Sequence, residues 1–197
     1  MPLASHVFVD ESARGQRYYV CAAVVVSSEV GEARKLARSF CLPRQRRWHF
    51  AHESGSRRAQ ILDGLVGSAH IRGWVGVGRG DEIEVRRRCL TVLAGDLAML
   101  RGERIVIESR EGRDEHDRRA LYAALRGNPV TYEHLVASED PGLRFADALA
   151  WAYGAGGRWR DRVMPVIDAV RDVGTARQRR ETRLPTVRKG AAFTFPS

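Results

Sequence analysis

Residues 17–27, RYYVCAAVVVS, are apolar almost without interruption. A strand with that pattern must be covered on both faces, because a half-exposed strand alternates apolar and polar residues. Just upstream, HVFVD (residues 6–10) is a second β-rich run, joined to the first by the short polar link ESARGQ. So short a link predicts an antiparallel hairpin. The rest of the chain must then supply helices for both faces of the hairpin.

It does so in alternation. Apolar residues at Val30, Ala33, Leu36, Ala37 and Phe40 predict a helix over 29–40, which Pro43 ends. A basic, aromatic stretch, RQRRWHFAHESGSRR, runs into a helix expected near 56–67. A strand follows at 70–78, and then a long helix at 81–100 with acidic residues in its first turn. Ile83, Val85, Leu90, Leu93, Leu97 and Leu100 mark the buried side of that helix. Next come a strand at 104–110, a helix at 113–126 and a strand at 129–138. A helix at 141–157 is opened by Pro141 and closed by glycines. A last helix is expected over 160–172, with Pro165 near its start. Strands separated by helices behind a hairpin predict an α/β fold with a mixed five-stranded sheet flanked by helices. The 197 residues suit one domain, residues 1–173. Residues 174–197 are basic and weakly patterned, and predict a flexible or draped tail.

Charge narrows the function classes. The chain carries 33 Lys and Arg against 24 Asp and Glu, a net charge of +9. Nearly all the basic residues are Arg; only Lys35 and Lys189 break the pattern. An excess of this sign attracts phosphate backbones regardless of sequence, so DNA or RNA is the expected partner. No run approaches the roughly 18 apolar residues of a membrane helix, and MPLASH has no export signal, so no membrane partner is expected. Cys21, Cys41 and Cys89 are odd in number and widely spaced, with no CxxC pair, which suits a reducing cytoplasm.

Three acids stand in apolar sequence. Asp10 ends the first predicted strand, Glu108 ends the fourth, and Asp147 lies inside the helix FADALAWA. An unpaired carboxylate in such a place costs several kcal/mol or takes up a proton. A shared Mg²⁺ or Mn²⁺ would compensate all three, since those ions prefer carboxylate and water oxygens. Each acid also has a plainer explanation: Asp10 caps the turn, Glu108 pairs with Arg110, Asp147 pairs with Arg144. Glu11 is either a fourth ligand or a turn residue. His49 and Glu53, four apart, share a face if their segment is helical. They then offer a base or phosphate contact beside a metal, or else a surface histidine with a capping acid. Tyr132 and His134 alternate onto one strand face, lining a cleft or packing inward. Arg46, Arg47 and Trp48 combine charge with an aromatic platform suited to single-stranded nucleic acid; alternatively Trp48 is tucked inward. There is no GxSxG, P-loop, HExxH or convincing GxGxxG.

Four segments in order, FVDES, HFxxES, IVIES and RFADALAWA, resemble the domain of unknown function 3800 family, which is similar to the ribonuclease H-like fold. The resemblance covers roughly residues 5–172. It is closest to the short, Arg-rich bacterial form, in which YEH and a helix with a single Asp follow the middle acidic strand. It implies a metal-dependent, nuclease-like site with Asp10, Glu108 and Asp147 as Mg²⁺ or Mn²⁺ ligands, and Glu11, His49 and Glu53 in matching segments. A standard sheet of this fold runs three antiparallel strands before its first helix, whereas here a helix and the basic loop intervene. Glu53 is the candidate for the usual helix-borne glutamate.

The resulting expectation is a nuclease that hydrolyses phosphodiesters, with Glu11 or Glu53 assisting and His49 or His134 moving a proton near neutral pH. The rival is a non-catalytic nucleic-acid or ribonucleoprotein binding module on the same scaffold. A third reading is an enzyme acting on a small nucleotide. Convergence of the three carboxyls, free of arginine, separates the first from the second.

Overall fold

The computed structural model describes residues 4–99 and 102–176. Strands β1 (Ser5–Arg14) and β2 (Arg17–Val26) form the expected hairpin. Its turn holds only two residues, and Gly15 there takes φ 59°, the positive value such tight hairpins demand. β1 therefore does not end at Asp10: it continues through Glu11, Ser12 and Ala13, all paired with β2. Helix α1 (Val30–Ser39), a 3₁₀ turn at Phe50–His52 and helix α2 (Gly55–Gly67) precede β3 (Ile71–Gly80). Then follow α3 (Glu82–Met99), β4 (Gly102–Glu108), α4 (Asp114–Ala124), β5 (Thr131–Leu135) and α5 (Leu143–Ala155).

The strand order is β5-β4-β1-β2-β3-β6, with β1, β2 and β3 antiparallel in turn and β4 and β5 parallel to β1. The expectation of five strands is corrected to six among the described residues. The segment expected as a helix over 160–172 divides instead. Helix α6 (Gly157–Val163) stops at a 3₁₀ turn, Met164–Val166, and strand β6 (Ile167–Ala176) pairs parallel to β3. Pro165 in that turn cannot supply a helical amide. Beyond it the β-branched residues of VIDAVRDVGT favour a strand, and the start of β6 alternates between half-buried and exposed. Strand β6 therefore continues past residue 173, to Ala176. The remainder of the expected tail, residues 177–197, lies outside the described residues.

Two cores form, one on each sheet face. Val7, Val9, Ile105 and Ile107 pack beneath α3 and α4 with Leu90, Leu93 and Leu121. Phe8, Val106 and Val75 pack on the other face beneath α1, α2 and α5, with Ile61, Leu65, Phe145 and Leu149. β2 serves both cores, which is why its sequence lacks alternation. Ile83, expected inward on α3, is instead exposed in the first turn. α5 lies close on the sheet because it is rich in alanine and is entered through Gly142. A Cβ at Gly142 would come within 2.5 Å of the Phe8 ring. That close approach brings the middle of α5 over the strand carrying Asp10.

Candidate active site

Strand alternation sorts the acids. Val9 pairs with Ile107, and Ile107 with His134. Side chains at paired positions share a face, so these three face α3 and α4 together with Glu11, two residues beyond Val9. Phe8, Asp10, Val106 and Glu108 face the other way, under α5. Asp10 and Glu11, adjacent in sequence, thus stand on opposite sides of the sheet.

On the α5 side, Asp10 is buried, with its carboxyl within hydrogen-bonding reach of Glu108. Asp147 descends from α5 near enough to act on the Asp10 charge. Burial first, then the charges of Glu11, Glu108 and Asp147, push the Asp10 carboxyl well above the usual carboxylate range. One Asp10 oxygen accepts the Glu11 amide at 2.7 Å. The plainer pairings of the other two acids do not form. Arg110 binds Glu11 and the Tyr18 hydroxyl, not Glu108. The Arg144 guanidinium turns away to Cys41 Sγ and the Arg46 carbonyl, not to Asp147. Among the described residues, neither Asp10 nor Glu108 has a cationic partner.

Asp147 is held by the HFxxES segment. Its Oδ2 accepts the Phe50 amide at 2.9 Å and meets His49 Nδ1 at 3.3 Å. That contact with Asp147 is the main cause that raises the His49 pKa, against the opposing effect of burial. His49 is half exposed and stacks on His52 with ring centres 4.6 Å apart. Arg58 pins this loop by donating to the carbonyls of Phe50 at 3.0 Å and Ala51 at 2.6 Å.

Four expectations need correction. Glu11 is not a ligand beside Asp10: it lies across the sheet, bound by Arg86 and Arg110. His134 cannot serve the same site, since it is buried on the Glu11 side with Nε2 3.3 Å from Asp117. Glu53 faces Arg57 at 3.6 Å and accepts from Gln45, and is not among the groups that act on Asp10. The 3₁₀ turn ends before it and an extended residue follows, so the i, i+4 face shared with His49 does not form. Trp48 is no stacking platform: only 2% exposed, it packs on Phe40 and Phe50 and donates Nε1 to the Ala37 carbonyl. Arg46 and Arg47 are exposed on the loop leading to His49.

The opposite face carries a network that was not anticipated. Buried Arg86 bridges Glu11 and Asp117, and Asp117 also meets His134. Burial opposes the positive charge of Arg86, yet the two carboxylates outweigh it and hold its pKa above the ordinary value. Its signal was present: Arg86, Leu90, Leu93 and Leu97 recur at helical spacing, placing an arginine in an apolar stripe.

Oxygen donors with unbalanced negative charge are the donor set that Mg²⁺ or Mn²⁺ accepts, so Asp10, Glu108 and Asp147 fit such an ion in kind. Among the described residues, no three or more His, Cys, Asp or Glu side chains are grouped closely enough to hold a metal ion as they stand. No helix among them is long and apolar enough to cross a membrane.

No protein-family model matches the chain. No curated protein matches it. Solved structures do. Ribonuclease H2 from Pyrococcus horikoshii OT3 is 13% identical with a TM-score of 0.47, over 75% of this chain and 70% of that one. A chain in the structure of the PCNA:RNase HII complex from Archaeoglobus fulgidus is 16% identical with a TM-score of 0.51, over 81% of this chain and 76% of that one. At this identity the second likeness is one of fold: the chain is an α/β protein with a mixed, ribonuclease H-like sheet.

Proposed function

We propose that this chain is a metal-dependent nuclease that hydrolyses phosphodiester bonds of nucleic acid, of the kind the domain of unknown function 3800 resemblance implies. The observation that carries this reading is the Asp10–Glu108–Asp147 group, with Asp10 buried and the other two partly buried, left without arginine while Glu11 next door has two. A structural acid cluster would share the available guanidinium groups; this one has none among the described residues, and its basic contact is His49 on Asp147. A divalent cation held there by Asp10, Glu108 and Asp147 would supply Lewis-acid chemistry toward a phosphodiester oxygen. Within the protein, the Phe50 amide and His49 orient Asp147, and His49 holds a proton at the rim. The net charge of +9 and a ribonuclease-like fold favour a nucleic-acid substrate.

The binding-module reading has one observation in its favour: among the described residues no three acidic, His or Cys side chains are grouped so as to hold a metal ion. Cleavage of labelled single-stranded RNA, single-stranded DNA, duplex DNA and RNA–DNA hybrid, each with Mn²⁺, Mg²⁺ or EDTA, decides between the two. Cutting that EDTA stops supports the nuclease. Salt-sensitive binding with no cutting of any substrate supports the module. If the nuclease is active, His49→Gln lowers its rate roughly 10–100-fold, the usual effect of losing a group that orients a ligating side chain. An unchanged rate in that variant would remove His49 from the site.

A further inference from the structure

Beyond the carboxylates, α5 and α6 carry an unusual surface. Trp151 stands four residues after Asp147, with its ring edge-on to Phe50, whose amide Asp147 accepts. The Arg58 guanidinium lies over the Trp151 ring at 4.2 Å, and that of Arg14, from the end of β1, at 5.2 Å. Trp151 also meets Trp159 edge-on at 5.8 Å. Arg158 lies over Trp159 at 4.8 Å, and Arg160 over Tyr153 at 4.5 Å. Among the described residues none of these four arginines pairs with a carboxylate, and Asp161, on the same short helix, binds none of them. Elsewhere, exposed Arg87 and half-exposed Arg88 on α3 face Glu84, and Arg119 on α4 faces Glu115.

From this arrangement we infer that Arg14, Arg58, Arg158 and Arg160 form a backbone track that grips the phosphates of a nucleic-acid strand leading away from the carboxylates. The inference rests on the nuclease or nucleic-acid-binding reading of that site and names how the strand is held. A guanidinium laid on an aromatic ring is ordered and partly desolvated. Arg58 gives two of its nitrogens to the Phe50 and Ala51 carbonyls and Arg160 gives its Nε to the Tyr153 carbonyl, which leaves their remaining N–H groups, and the whole N–H edge of Arg14 and Arg158, for a phosphate. The rings are already covered, so bases do not stack on them and the grip is blind to sequence. Four helical residues span about 6 Å, and a nucleic-acid strand advances about 3.4 Å per nucleotide along its axis. The Arg14–Arg58 pair therefore meets the backbone about two nucleotides from the phosphate at the carboxylates, and Arg160 and Arg158 meet it further on.

The test is fluorescence anisotropy with single-stranded RNA and DNA oligonucleotides of about 20 nucleotides in EDTA, where cleavage does not interfere. Arg14→Ala/Arg158→Ala is compared with Arg87→Ala/Arg119→Ala, which removes the same charge from the far side of the sheet. All four side chains are exposed, and the unfolding midpoints verify that both variants are folded. The track double variant should weaken binding roughly tenfold and flatten the slope of log K against log salt by about 1.4, from ~0.7 per lost phosphate contact. The far-side variant should change binding less than about twofold. Equal weakening by both would overturn the track and leave only diffuse attraction to a basic protein. A wild-type protein that binds neither oligonucleotide would overturn the nucleic-acid reading itself.

Discussion

Under the proposed nuclease reading, Asp10→Asn should abolish cleavage and at the same time make the metal-free protein harder to unfold. Both effects follow from one carboxylate. A ligand whose loss removes several kcal/mol of charge stabilisation from the reaction lowers the rate by at least about 10³-fold. Without metal, the same carboxyl is buried beside Glu108 and Asp147, and its pKa stands well above the usual range. The folded protein therefore holds a proton that the unfolded chain gives up. Stability from this group is full below the ordinary aspartate pKa and is lost as pH rises through the raised one. Asparagine fills the same space without a charge, so the variant keeps its stability at neutral pH where wild type loses some. The expected gain in melting temperature is a few degrees, each kcal/mol moving it by roughly 2–4 °C in a domain of this size. Mn²⁺ should raise the wild-type midpoint and raise that of Asp10→Asn less. Melting curves at pH 5 and pH 8, with Mn²⁺ or EDTA, read all of this. Undiminished cleavage by Asp10→Asn would remove the carboxylate from the reaction, and a lower midpoint in EDTA would mean that Asp10 is a structural acid.

Arg86→Ala should cost about 3–5 kcal/mol, the price of leaving buried charges without their partner. That is a large part of the 5–15 kcal/mol that holds a typical domain folded. Arg86 is 4% exposed and satisfies Glu11 from one side and Asp117 from the other. Its removal leaves Glu11 with Arg110 alone and Asp117 with only His134, whose Nδ1 has no partner among the described residues. Urea unfolding measures the loss. A cost below about 1 kcal/mol would show that Arg110 and His134 can neutralise the two acids unaided. The contrast between the two substitutions is the sharper statement: removing charge on the α5 face stabilises, and removing it on the α3 face destabilises.

Much of this architecture is legible in the sequence because periodicity is a local property. The uninterrupted apolar run of β2 announces a strand with cores on both sides, and helices covering both faces follow. The last strand is hidden because Pro165 can open a helix as readily as it ends one, and the pairing of β6 with β3 decides for the strand. Asp10, Glu108 and Asp147 stand out because each interrupts apolar sequence. Glu53 and Trp48 stay open between two readings for the opposite reason. They lie in the stretch between α1 and α2, which has no period, so nothing local states which way a side chain turns. Trp48 is drawn inward by Phe40 and Phe50, which are contacts of tertiary structure. Glu11 and His134 were readable in principle. Counting by twos from Val7 and Val9 puts Glu11 on the far face, and the parallel register carries His134 there with Ile107.

The opposite facing of Asp10 and Glu11 has a consequence for how the hairpin can vary. Slipping β1 by one residue against its neighbours would turn Asp10 and Glu11 each to the other face. A glutamate would then enter the pocket under α5, and an aspartate, one methylene shorter, would be offered to Arg86. The same slip would turn Val7 and Val9 out of one core and Phe8 out of the other. A mispaired hairpin thus loses its ion bridge, its packing and its buried acid together, so no chain can settle into the wrong pairing and still be well folded. Length changes in this hairpin should be tolerated only past Ala13, at the two-residue turn, where neither face is committed.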